Sequence, residues 1–190
     1  MVPRTFSPAR AWRPAAGDRL ARTLGIAEMP FSLQQISDFD LEELAASRVP
    51  ESLRGRIEQG ALPPAFVAIR SLALRKDGHP EPWSTSFLMV NNTDDRIVGA
   101  CGFKTALSSG QVAIGYGVAE AARGQGAATQ TVSLLVAKAF EAGAATVLAE
   151  VVPDNSASAK VLRKNGFVQI GAHNDKHGEY VLQWLRSRDA

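Results

Sequence analysis

A single cysteine, three histidines and almost no net charge narrow what this 190-residue chain can be. With Cys101 alone, no internal disulfide can form, and zinc would have to rest on histidine and carboxylate ligands. That cysteine usage fits a reducing, cytoplasmic setting. No apolar run approaches the roughly 20 residues that span a bilayer, so no membrane role is expected. A formal charge of +2 is too small to argue for nucleic acid or for an anionic membrane surface. Arg4, Arg10 and Arg13 are not followed by a continuous apolar block, which argues against a secretory signal. An Arg-rich, acid-poor start is also the composition of an organelle transit peptide. The 45% hydrophobic and 21% charged content is that of an ordinary folded domain with one sizeable core.

Residues 1–27, with Pro3, Pro8, Pro14 and Gly17, read as a flexible arm, and 28–190 as one domain. Phe39, Leu41, Leu44 and Ala45 recur at helical spacing behind a Ser37 or Asp38 cap, with Pro50 as the stop. A second short helix is expected over 51–59, then a Leu62-Pro63-Pro64 linker. Residues 66–74 fit strand or helix equally. Strands follow at 86–90, 97–104 and 111–118, and the turn residues between them make an antiparallel meander. A helix over 126–141 carries Val132, Leu135, Val136, Ala139 and Phe140 on one face and ends at Gly143. A strand (146–152), a short helix (155–165) and two strands (167–173, 179–185) close the chain. This order predicts an α/β sandwich on a mixed sheet.

The chemistry concentrates in two segments. Between strand and helix stand Arg123, Gly124, Gln125, Gly126, Ala127, Ala128 and Thr129. Two glycines let successive N–H groups point to one spot, the helix start adds partial positive charge, and Arg123 adds a full one. That suits a phosphate group, although a sterically demanding turn also needs glycine. The three glycines of a dinucleotide fingerprint and the Lys-Ser/Thr of a P-loop are both missing. On the strand before it, Val112, Ile114, Tyr116 and Val118 share one face, and Ala113, Gly115 and Gly117 the other. A face that bare suits either an extended ligand or a tightly packed helix. In the second segment Asp154 or Asn155 can cap a helix, Gly166 can take the left-handed position after it and Phe167 can pack back on Leu162. Ser158 is a candidate polar contact. His173, Asp175 and His177 read as a surface turn, with no metal; Trp83, Phe87 and Trp184 read as core or, second to that, as a substrate wall.

Residues 114–129 (IGYGVAEAARGQGAAT), 137–140 (AKAF) and 150–171 (EVVPDNSASAKVLRKNGFVQIG) resemble the GNAT superfamily of N-acetyltransferases. The likeness is to the branch holding the RimJ/RimL-type ribosomal-protein N-terminal acetyltransferases. Residues 123–128 match its Q/R-x-x-G-x-G/A pyrophosphate loop, and Asn155-x-x-Ser158 with Lys164-Asn165-Gly166-Phe167 matches the branch's second signature. The resemblance covers about 86–185. It implies a mixed, mostly antiparallel sheet of about six or seven strands with helices on both faces.

It also implies acetyl-CoA as cosubstrate and an amine as acceptor, a protein N-terminus or a small molecule. Tyr116, Gly117 and Val118 would meet pantetheine, Arg123 to Thr129 the pyrophosphate, Asn155 the pantetheine arm, and Ser158 the sulfur. Related sequences often carry Glu where this chain has Ala113, and the branch's alternative acid, a tyrosine in the last helix, is missing. Glu150 and Glu120 are substitutes on chemistry alone, so an acyl-CoA-binding sensor is the alternative reading. The acceptor is expected against 37–59 and 104–110. A homodimer rests on analogy.

Overall fold

The computed structural model describes residues 29–189, so the arm expected over 1–27 lies outside the described residues. Seven strands form one sheet in the order β1-β2-β3-β4-β5-β7-β6. They are β1 (Phe31–Gln35), β2 (Ser86–Asn91), β3 (Arg96–Phe103), β4 (Gln111–Val118), β5 (Thr146–Val151), β6 (Val168–Asn174) and β7 (Tyr180–Ser187). Helices α1 (Asp38–Ala45), α2 (Ala65–Lys76), α3 (Ala127–Glu141) and α4 (Ser156–Lys164) complete the described residues with two short 3-10 turns. All strand pairs are antiparallel except β4 with β5. The expected mixed, mostly antiparallel sheet is therefore present.

Strand alternation splits the apolar residues onto two faces. On β2, Phe87 and Met89 join Val132, Leu135 and Ala139 of α3 and Leu162 of α4. Leu88 and Val90 join Leu41 and Leu44 of α1 and Ala68 of α2 on the other side. Helices cover both faces, as expected. Trp83 meets Phe103 edge-on at 5.0 Å, and Trp83, Phe87 and Trp184 are all buried, which makes them core residues.

One expectation is corrected, one open reading is resolved and one strand is new. Residues 51–59 do not form a helix: a 3-10 turn spans only Glu51–Leu53. Gly55 at φ 79° then turns the chain so that Ile97 N donates to Arg56 O and Glu58 N to Ile97 O, and sheet pairing wins over helix propensity. The ambiguous 66–74 lies within α2, started by Pro64 just before its first turn. β1 was not expected at all; Gln130 of α3 clamps it, its amide donating to Phe31 O at 2.7 Å and accepting from Phe31 N at 3.3 Å. Helix α1 also ends at Ala45, before Pro50, while its Ser37 cap accepts from Asp40 N as expected.

Gly99 is where β3 and β4 come closest. A Cβ there would stand 2.3 Å from Gly117 O, 2.9 Å from Met89 Sδ and 3.1 Å from Val118 Cα. Two of the three are backbone and cannot swing aside. Gly99→Ala should therefore cost about 3 kcal/mol, as overpacking does, and lower the thermal midpoint by roughly 5–10 °C. Differential scanning calorimetry reads this directly; an unchanged midpoint would mean that the two strands part without penalty.

Candidate active site

β4 and β5 run side by side only over Gln111–Thr146, Val112–Val147 and Ala113–Leu148. Beyond that pair they diverge, and the gap between them opens into a cavity of about 510 Å³. The direction of the β4 backbone follows from its ends. Ala113 O accepts from Lys104 N, and Ala119 N donates to Val98 O, so the odd-numbered residues bond toward β3. Alternation turns the N–H and C=O groups of Ile114, Tyr116 and Val118 into the gap that β5 has vacated. Nothing lies within 4 Å of the position a Gly117 Cβ would take, so its face of the strand is open. An extended chain with amide groups could pair there as a further strand does.

Tyr116, Gly117, Val118, Glu150, Asn155 and Ser158 all line this cavity. Tyr116 packs against the α3-side core, as its alternation with Ile114 requires, and its hydroxyl reaches Ser158 O at 3.4 Å. Burial pushes its phenol above the ordinary value. Asn155 is the α4 cap, its Oδ1 accepting from Ser158 N at 3.0 Å. That leaves the Asn155 amide nitrogen and the Ser158 hydroxyl without protein partners among the described residues. Both facts support the local reading of Asn155 and leave its other end for a ligand.

Arg123, Gly124, Gln125, Gly126, Ala127, Ala128 and Thr129 do not line that cavity. They lie one short 3-10 turn (Glu120–Ala122) beyond the end of β4. Gly124 and Gly126 have φ of 78° and 89°, the left-handed region that glycine adopts without strain, and Gly126 caps α3. Gln130 N is the first amide to bond back, onto Gly126 O, and no side chain caps the helix. The amides of Ala127, Ala128 and Thr129 thus face outward unsatisfied, and Arg123, Gly124, Gln125 and Gly126 around them are exposed. The N-terminus of a 15-residue helix with open amides favours an anion. Asn165 Nδ2 donates to Thr129 O at 3.1 Å and Val161 O at 2.9 Å, tying the two site helices together. Spacing alone does not announce that bond.

Among the carboxylates, Glu120 is exposed and outside the cavity, whereas Glu150 is inside it. Lys104 Nζ donates to Glu150 Oε2 at 2.7 Å, and His173 Nε2 lies 3.2 Å from Oε1. Neither Lys104 nor this use of His173 was expected from sequence. Asp175 instead accepts from His177 N and Glu179 N and closes the β6–β7 turn, and no metal-binding group of side chains occurs among the described residues. Cys101 is fully buried, and burial pushes its thiol up, away from nucleophilic use. The second cavity wall comes from residues between Gly60 and Arg70, and of the segments expected near the acceptor, 37–59 and 104–110, Lys104 lines the cavity.

Splayed parallel strands that bare a strand edge, followed by a helix start with open amides, suit an extended ligand with an anionic end. Residues 32–168 match the family model described as Acetyltransferase (GNAT) domain, and the chain belongs to that family. It is an N-acetyltransferase, an acyltransferase with acetyl-CoA as cosubstrate. Three solved structures share the fold. Ribosomal-protein-S5-alanine acetyltransferase from Vibrio fischeri has a TM-score of 0.61 at 19% identity, covering 86% of this chain and 96% of that one. RimJ from Mycobacterium smegmatis, in complex with CoA-disulfide, has 0.59 at 18%, covering 84% and 82%. A spermidine N-acetyltransferase SpeG chimera from Vibrio cholerae and hSSAT has 0.59 at 12%, covering 85% and 97%. No curated protein matches the sequence. No described helix is long and apolar enough to cross a membrane.

Proposed function

We propose that the chain transfers an acetyl group from acetyl-CoA to a primary amine by direct attack of the amine on the thioester. The observation that carries this reading is the cavity beside the open β4 edge, which holds Glu150 and Ser158, with the uncapped α3 N-terminus one short turn beyond that edge. Arg123 and the amides of 124–129 take the pyrophosphate. The inward-turned backbone of Tyr116 and Val118, with Asn155, takes the pantetheine arm, and Gly117 leaves room for it. The Val118 amide is also suited to the oxyanion that forms as the amine attacks. Glu150 accepts the amine's proton, and the Ser158 hydroxyl donates a hydrogen bond to the departing thiolate.

A non-catalytic sensor drew its support from Ala113 alone. Glu150 stands within the cavity and offers a base that the position of Ala113 does not. Ser158→Ala should lower kcat about tenfold, the worth of one such hydrogen bond, with acetyl-CoA affinity nearly kept. An unchanged kcat in a thiol-release assay takes Ser158 out of the chemistry.

The whole reading is tested by following the thermal midpoint with acetyl-CoA, CoA, ATP and NAD. A ligand at about 100 times its dissociation constant adds roughly 2.7 kcal/mol, a shift of several degrees. Acetyl-CoA and CoA should shift the midpoint while ATP and NAD should not. No shift with either thioester or thiol would leave the fold without this function.

A further inference from the structure

Three charged residues line the cavity among the described residues: Arg70, Lys104 and Glu150. Lys104 and Glu150 answer each other at 2.7 Å, and His173 takes the other Glu150 oxygen. Arg70 has no such answer. Its Nε is buried and makes no hydrogen bond, and no carboxylate among the described residues pairs with its guanidinium. Nor is it a spare surface charge. Burial holds its guanidinium below the ordinary value, with no neighbouring charge to offset it.

The placement on α2 is specific. Ala68 and Ser71 face the sheet and are buried, Ser71 hydrogen-bonding Ser86 at 2.8 Å. Phe66, Val67 and Arg70 fall on the adjacent stripe, three and four residues apart, and that stripe walls the cavity. Opposite stand Tyr116, Gly117, Val118 and Ser158. The pyrophosphate loop contributes nothing to this cavity, so an anion at Arg70 would not be the nucleotide end of the cosubstrate. It would belong to the acceptor.

We propose that Arg70 is a specificity-determining residue that pairs with a carboxylate carried by the amine acceptor, close to the reacting nitrogen. This rests on the acetyltransferase reading and names the acceptor class within it. A planar guanidinium meets a carboxylate through two parallel hydrogen bonds, and a partly desolvated one discriminates strongly against a neutral isostere. Two sources carry that chemistry: the α-carboxylate of a free amino acid, or an acidic side chain just after a peptide N-terminus. A polyamine carries none.

The test is kcat/KM by thiol release on two matched pairs, L-alanine against L-alaninamide and Ala-Asp-amide against Ala-Asn-amide. In one pair the carboxylate member should exceed its neutral twin about tenfold or more. The pair in which this occurs names the source. Arg70→Gln should bring that ratio to within about twofold, and Arg70→Lys should keep part of it. A ratio near one in both pairs, a ratio that Arg70→Gln leaves standing, or no thiol release from any of the four acceptors overturns the proposal. The acetyl-CoA thermal shift separates the two failures. A retained shift without a ratio removes Arg70 alone, whereas no shift removes the acetyltransferase reading beneath it.

Discussion

Gly126→Trp should lower acetyl-CoA affinity at least about 100-fold and erase the acetyl-CoA thermal shift, with the fold intact. Gly126 caps α3 at φ 89°, and nothing stands within 4 Å of where a Cβ would project. A side chain there meets no protein atom at its root and extends over the open amides instead. A left-handed residue that is not glycine costs about 1–2 kcal/mol, so the variant should melt a few degrees early. The affinity loss comes from covering the helix start, where an anion gains from both the amides and the dipole. Gly126→Ala separates the two causes, because it carries the backbone cost with little bulk. Calorimetric titration should find it within about tenfold of wild type. Wild-type affinity in the Trp variant would move the pyrophosphate to another place on the molecule.

The turns and caps around the candidate site were legible because their geometry is local. Gly124, Gly126 and Asn155 do their work within three residues of themselves, as a turn, a cap or an open amide, and sequence spacing carries such information. The meander β2–β4 was legible for the same reason, since its turns lie between consecutive strands. Gly166 and Phe167 also fulfil their local logic: Gly166 has φ 74°, and Phe167 N donates to Leu162 O at 3.0 Å.

What escaped depends on partners distant in the chain. Phe31 and Leu33 alternate with Ser32 and Gln34, a strand pattern in plain view, yet β1 is a strand only because β2 and Gln130 receive it. Residues 56–58 look helical until Ile97 offers them a sheet edge. The cavity wall on α2 is the same kind of case. Arg70 in sequence is one basic residue on an amphipathic stretch, and a solvated helix face is the ordinary reading of it. Only the packing of Ala68 and Ser71 on the sheet turns Arg70 toward the cavity. Lys104, just past the end of β3, and His173 of β6 reach Glu150, across 46 residues in the case of Lys104, and no spacing rule encodes that triad.

Glu150→Gln should lower kcat about 100-fold, the lower range for losing a general base, while leaving the acetyl-CoA shift in place. Glu150 is the one carboxylate that lines the cavity among the described residues, so the amine's proton has no second acidic acceptor there. Its two oxygens already meet Lys104 and His173. A carboxylate offers about four lone-pair positions, which leaves room for the amine or a bridging water. The two neighbours hold the group still. Glutamine keeps the volume and can still accept hydrogen bonds, but it takes up no proton at neutral pH. The alternative is that Glu150 matters only as the anchor of Lys104. Lys104→Met distinguishes the two, since it breaks the same ion pair from the other side and leaves the carboxylate. A loss below about tenfold in Lys104→Met, beside the larger one in Glu150→Gln, assigns the proton to Glu150. Equal losses in the two variants would make the pair structural and leave deprotonation of the amine to solvent.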